Sequence, residues 1–155
     1  MFFCSYSLPF EAEINKLEAL ILHQLEFLMS SAKTLILNAQ DSFDLAKKNL
    51  ADHKQHEFVG YNLAQACENF MKALCEMREL EYPHDEEGHD LDALMQILEE
   101  GNLAAISSLE DIIQLNAYNG SGKINVKEAD RVNLSEFIDH VEDLKKLVAQ
   151  EYRER

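Results

Sequence analysis

The stretch that decides the fold runs from Glu68 to Leu94 and reads ENFMKALCEMRELEYPHDEEGHDLDAL. Its first half has apolar residues at steps of three and four, the spacing that is typical of an amphipathic helix. Pro83 and Gly88 then interrupt this pattern, because proline cannot continue a helix and glycine favours turns. A second helical pattern begins after Asp90, a residue type that caps helix N-termini. The stretch therefore predicts a helix, an acidic loop and the start of another helix.

Helical patterns also flank this stretch on both sides. Upstream, apolar residues recur every three or four positions from Phe10 to Leu50, and the cap-type residues at 38–42 favour a break or kink in that helix. Downstream, similar patterns cover 103–116 and 134–152, and Gly101 is expected to end the helix that begins near Asp90. No segment alternates with a period of two. The sequence predicts an all-α protein, an up-and-down antiparallel bundle of about five helices in a single domain over residues 1–155.

The charge and the cysteines restrict the function further. The chain has a formal net charge of −15, and residues 76–100 hold ten acids and one base. A general nucleic-acid binder needs a dense basic patch, so no nucleic acid partner is expected. Cys67 and Cys75 lie about 12 Å apart along one predicted helix, too far for a disulfide, which indicates a reducing compartment. With no signal peptide and no membrane-spanning pattern, we expect a cytoplasmic protein that does not bind membranes.

The acidic loop carries the side chains that could take part in catalysis or metal binding, and three interpretations are open. Arg78 and His84 could form a metal-independent ribonuclease site, with the imidazole as acid or base and the guanidinium on the phosphate. His84, Asp85 and His89 could instead bind a divalent metal, although their spacing matches no common metal motif. In the third interpretation the loop is a solvated connection, and His89 packs or hydrogen-bonds at the start of the next helix. The sequence indicates no cofactor.

The stretch and its neighbours resemble the HEPN family of small helical bundles. The residues that match the family's central pattern and its following H-D-L are Gln65, Ala66, Glu68, Lys72, His89 and Asp90. The resemblance covers residues 34–148 and leaves 10–36 as an N-terminal helical extension. It implies a bundle that usually forms a homodimer. It also implies a small nucleotidyltransferase as partner, or that enzyme's nucleotide substrate as ligand, in a toxin–antitoxin or related system.

The family also includes ribonucleases that use an R-x(4–6)-H motif toward the later helices. The corresponding stretch of this chain, NAYNGSGKINVKEADRV at 116–132, contains no such pair. Arg78 and His84 have the right spacing but lie in the loop after the central helix. We therefore expect a non-catalytic HEPN-like interaction module. The alternatives are a ribonuclease that uses Arg78 and His84, and a metal-binding protein that uses the loop from His84 to His89.

The N-terminal extension is the predicted partner surface. A long apolar stripe has to be buried, either within the chain or against another chain. The residues predicted to form the dimer or partner surface are Phe10, Ile14, Leu17, Ile21 and Leu28.

Overall fold

The structure is a computed structural model that describes residues 8–119 and 133–154. Its described part contains four α-helices: α1 (Leu8–Ala51), α2 (His56–Met77), α3 (Leu91–Glu100) and α4 (Leu134–Arg153). Two 3-10 segments join them, a single turn at Glu86–His89 and a longer helix at Ala104–Tyr118. The described residues form no strand. The predicted all-α bundle is confirmed.

Helix α2 lies at the centre of the bundle. It packs against α1, α3, α4 and the long 3-10 helix, because its apolar residues point in more than one direction. Phe70 and Met71 of α2 are fully buried, as are Phe43 of α1 and Leu144 of α4. The bundle thus has one continuous core, and α2 is the element on which the other helices are positioned.

Helix α1 is continuous, so the predicted break at 38–42 was wrong. Ala39 and Phe43 are fully buried, whereas the cap-type residues Asn38 and Asp41 point to solvent and leave the apolar stripe intact. At 1.5 Å per residue, α1 is about 66 Å long and α2 about 33 Å. Because the two helices are joined at 52–55, the N-terminal half of α1 extends beyond the end of α2.

The predicted helix at 103–116 is present as a 3-10 helix rather than an α-helix. Five of its six buried residues follow each other at steps of three: Ile106, Leu109, Ile112, Leu115 and Tyr118. That spacing suits the three residues per turn of a 3-10 helix, because it places every third side chain on the same side. The dihedral angles of Leu109 (φ −107°, ψ 16°) mark a kink in the middle of the segment.

Helices α1, α2 and α3 are each followed by a residue other than glycine in the left-handed conformation. These residues are His53 (φ 54°), Glu79 (φ 57°) and Asn102 (φ 66°). In each case the next backbone N–H donates to the carbonyl five residues earlier at 2.9–3.0 Å, as in the Schellman motif. Gly101 follows α3 as predicted, but its φ is −79° and Asn102 adopts the left-handed conformation.

The described helices also bear on the membrane prediction. None of them combines the length and the apolar character that a membrane span needs.

Candidate functional site

A buried carboxylate on α2 lies at the centre of the residues that carried the resemblance. Glu68 is 3% exposed, and its Oε1 is 2.6 Å from the Lys72 ammonium. The ring nitrogen Nδ1 of His89 lies 3.0 and 3.1 Å from the two carboxylate oxygens. Gln65 donates to Oε2 at 3.5 Å. Gln65, Glu68 and Lys72 share one side of α2 because they are three and four positions apart.

Two asparagines, one in the long 3-10 helix and one at its C-terminal cap, extend this arrangement. Asn116 donates to Asp90 Oδ1 at 2.9 Å, and its own Oδ1 accepts from the backbone N–H of Leu91 at 2.9 Å. Asn119 donates to Asn116 Oδ1 at 2.5 Å and to the backbone carbonyl of His89. We call the whole set the polar cluster: Gln65, Glu68, Lys72, His89, Asp90, Asn116 and Asn119.

The polar cluster fixes the acidic loop to the central helix. Glu68 holds the imidazole of His89, and Asp90 caps α3 through the backbone N–H of Asp92 at 3.0 Å. Hydrogen bonding of His89 at the start of the next helix agrees with the third interpretation of the loop. Ala66, the remaining motif residue, is fully buried in the core. The sequence reasoning missed Asn116 and Asn119, although two asparagines three positions apart in an otherwise apolar segment were a signal.

The candidate ribonuclease residues contact different neighbours. The guanidinium of Arg78 lies 2.8 Å from Glu151 of α4 and donates to the backbone carbonyl of Gly101 at 3.3 Å. The ring of His84 packs against Tyr82, with 4.6 Å between the ring centroids. The guanidinium is therefore occupied by a partly buried ion pair, and the described contacts do not join it to the imidazole.

The candidate metal ligands are likewise engaged elsewhere. Asp85 accepts from the backbone N–H of Glu87 at 3.1 Å and so caps the short 3-10 turn, while His89 bonds to Glu68. Within 8–119 and 133–154, no three His, Cys, Asp or Glu side chains are grouped in a way that could hold a metal ion.

A groove of about 770 Å³ lies where α1 passes the segment that follows α2. We call it the acidic groove, and its lining residues are His23, Gln24, Glu76, Glu79, Leu80, Glu81, Tyr82 and His84. The Tyr82 hydroxyl donates to Glu76 at 2.7 Å. Burial of the phenol, together with this bond to a carboxylate, raises the pKa of Tyr82 far above its usual value.

The N-terminal half of α1 exposes large apolar side chains. We call this set the uncovered face: Ile14 (38% exposed), Leu17 (59%), Leu20 (61%), Ile21 (56%) and Leu22 (60%). Three of them belong to the predicted partner surface, while the side chains of Phe10 and Leu28 lie outside the described part. Ile14, Leu17 and Ile21 continue the stripe that packs on α2 farther along the helix. At their level α2 has already ended, and so they remain exposed.

These features define a class: a small helical-bundle domain in which a buried ion pair anchors the loop after the central helix. Comparison with models of protein families then gives a specific result, a match of residues 32–152 to the HEPN domain. The chain belongs to the HEPN domain family, as the resemblance indicated. The comparisons found no matching curated protein and no matching solved structure.

Proposed function

We propose that this HEPN-domain protein is a non-catalytic interaction module that binds another protein chain through the uncovered face. The supporting observation is that five large apolar side chains of one helix are 38–61% exposed. Fully burying one such side chain is worth about 1.5–3 kcal/mol, so covering five half-exposed ones contributes about 4–8 kcal/mol per chain. This gain is large enough to offset a substantial part of the entropy lost on association.

The contacts of the candidate catalytic residues support the non-catalytic half of the proposal. The guanidinium of Arg78 pairs with Glu151 and the imidazole of His84 packs against Tyr82, so the two groups contact different residues. Metal-independent RNA cleavage by the wild-type protein that disappears in His84→Ala would contradict this part.

The identity of the partner stays a prediction that comes from the family. This prediction has three versions: a second copy of the chain in a homodimer, a small nucleotidyltransferase as partner, and a nucleotide as ligand. The uncovered face bears on the first two, because apolar side chains of this size are typical of protein interfaces.

The test is a pull-down from the native host, in which the protein chains recovered with the tagged wild type are compared with those recovered with two tagged variants. Leu17→Ser/Ile21→Ser changes the uncovered face, and Leu37→Ser/Leu45→Ser is the matched control, since these leucines are 51% and 47% exposed elsewhere on α1. We expect the wild type and the control to retain a second chain in stoichiometric amount, and the first variant to lose it while keeping its helical circular dichroism. Identical chain composition for all three proteins would reject the proposal.

A further inference from the structure

The uncovered face and the acidic groove form one continuous surface. Leu17, Leu20 and Gln24 follow each other at steps of three and four, so they lie on the same side of α1. The two leucines belong to the uncovered face, and Gln24 lines the groove. A chain that packs along the leucines therefore arrives at the groove within about one helical turn.

The groove is suited to positively charged side chains. Its described lining residues include the carboxylates of Glu76, Glu79 and Glu81, and none of those described residues is a Lys or Arg. Next to them lie the rings of Tyr82 and His84, which contact each other at an interplanar angle of 44°. Carboxylates beside an aromatic face attract lysine and arginine by ion pairing and by cation–π interaction.

The charge of the surface disfavours a second copy of this chain as its occupant. Residues 11–26 of α1 carry four Glu and one Lys, and the chain as a whole has a net charge of −15. Two copies that pair through this surface would bring like charges together, which opposes association. The same negative charge attracts a positively charged partner and so favours its binding.

We infer that the uncovered face and the acidic groove together bind a basic amphipathic helix of a different protein. This inference rests on the proposed function and names the chemistry of the partner. The helix continues the line of α2 beyond Met77, places its apolar residues on Leu17 and its neighbours, and puts arginines or lysines into the groove. The projecting part of α1 accommodates a partner helix of about 20 residues, or about 30 Å.

The inference can be tested with designed peptides of about 20 residues, the length of the projecting helix. One peptide has leucines at steps of three and four with arginines on the flanks, and a second has glutamates in place of the arginines. Fluorescence anisotropy with the full chain measures both affinities at low and at high salt. We expect the arginine peptide to bind at least about tenfold more tightly at low salt, with the difference shrinking at high salt.

Matched variants locate the charge effect on the protein. Glu79→Gln/Glu81→Gln is expected to weaken binding of the arginine peptide by about three- to tenfold, because two exposed ion pairs are lost. Glu136→Gln/Asp139→Asn removes the same charge from the exposed side of α4 and is expected to leave the affinity unchanged. Leu17→Ser/Leu20→Ser should weaken binding of both peptides.

Each contrary outcome has a defined meaning. Equal weakening by the two charge variants would show binding to the overall negative charge, and would overturn the inference. A dimer in light scattering that dissociates in Leu17→Ser/Ile21→Ser, with neither peptide competing, would also overturn it but would support the proposed function. If no peptide binds and the native-host experiment shows no chain dependent on the uncovered face, both proposals fail.

Discussion

Replacing Glu68 by glutamine removes one negative charge from the centre of the polar cluster and keeps the shape of the side chain. The side chains of Glu68 and Lys72 are 4% and 15% exposed, so little water is available to solvate the lysine once its partner is neutral. Removing one member of a buried pair typically costs 3–5 kcal/mol, because the other charge stays buried without compensation.

The expected loss lies at the lower end of that range, at about 3 kcal/mol. The glutamine oxygen still accepts a hydrogen bond from Lys72, and the ammonium already lies 6.0 Å from the centre of the Tyr82 ring, which offers partial compensation. For a domain of this size, 1 kcal/mol corresponds to about 2–4 °C, so the melting temperature should fall by about 6–12 °C.

Urea unfolding followed by circular dichroism measures this loss, with Glu87→Gln as the control. Glu87 lies in the same loop, but its side chain is exposed, so its replacement should leave the midpoint unchanged. The double variant Glu68→Gln/Lys72→Met should lose at least about 1 kcal/mol less than the sum of its single variants. A loss below about 1 kcal/mol for Glu68→Gln, or full additivity in the double variant, would refute the reasoning.

Further substitutions test individual features of the fold. His53→Gly should raise the free energy of unfolding by about 0.5–1 kcal/mol, because glycine adopts the left-handed conformation without steric cost; a decrease would argue against strain at this turn. Gly88→Ala should lower the free energy of unfolding by about 1–3 kcal/mol, because the added methyl group overlaps the backbone of the same loop; an unchanged midpoint would contradict the close approach. Burial raises the pKa of Cys75 to about 12 and that of Cys67 further, so at pH 8 a thiol reagent should label both residues at least about 100-fold more slowly in the native protein than in urea, measured in a Cys4→Ser background. Equal labelling rates would show that these thiols are accessible.

The elements that the sequence predicted correctly are those in which buried apolar residues recur at helical spacing over many positions. Helix α2 has apolar residues at helical spacing over 22 residues, and α3 begins directly after its predicted cap, Asp90. The form of the segment at 104–118 was harder to predict. Its step of three between buried residues fits a 3-10 helix, but over one or two turns it also fits an α-helix.

Parts of the candidate site depend on partners that are distant in the sequence. Arg78 pairs with Glu151, 73 positions away, and Asn116 bonds to Asp90, 26 positions away. Neither spacing is a recognisable pattern, because the fold and not the local sequence brings these residues together. The motif around Glu68 was found through the resemblance to the HEPN family, and within it only the pairing of Glu68 with Lys72 could be read from helical spacing.

The overhang of α1 beyond α2 has a thermodynamic consequence. The described side chains from 11 to 24 are all exposed, and a helix of this length without tertiary packing is marginally stable in water, because nucleation is costly and each added hydrogen bond contributes little. A chain that binds the uncovered face would supply the missing packing. Part of its binding free energy would then offset the conformational entropy that this segment loses when it becomes ordered. Amide hydrogen exchange between Glu11 and Gln24 would then follow occupancy directly, fast in the free protein and slow in the complex. The N-terminal half of α1 would thus report the presence of the partner through its own helicity.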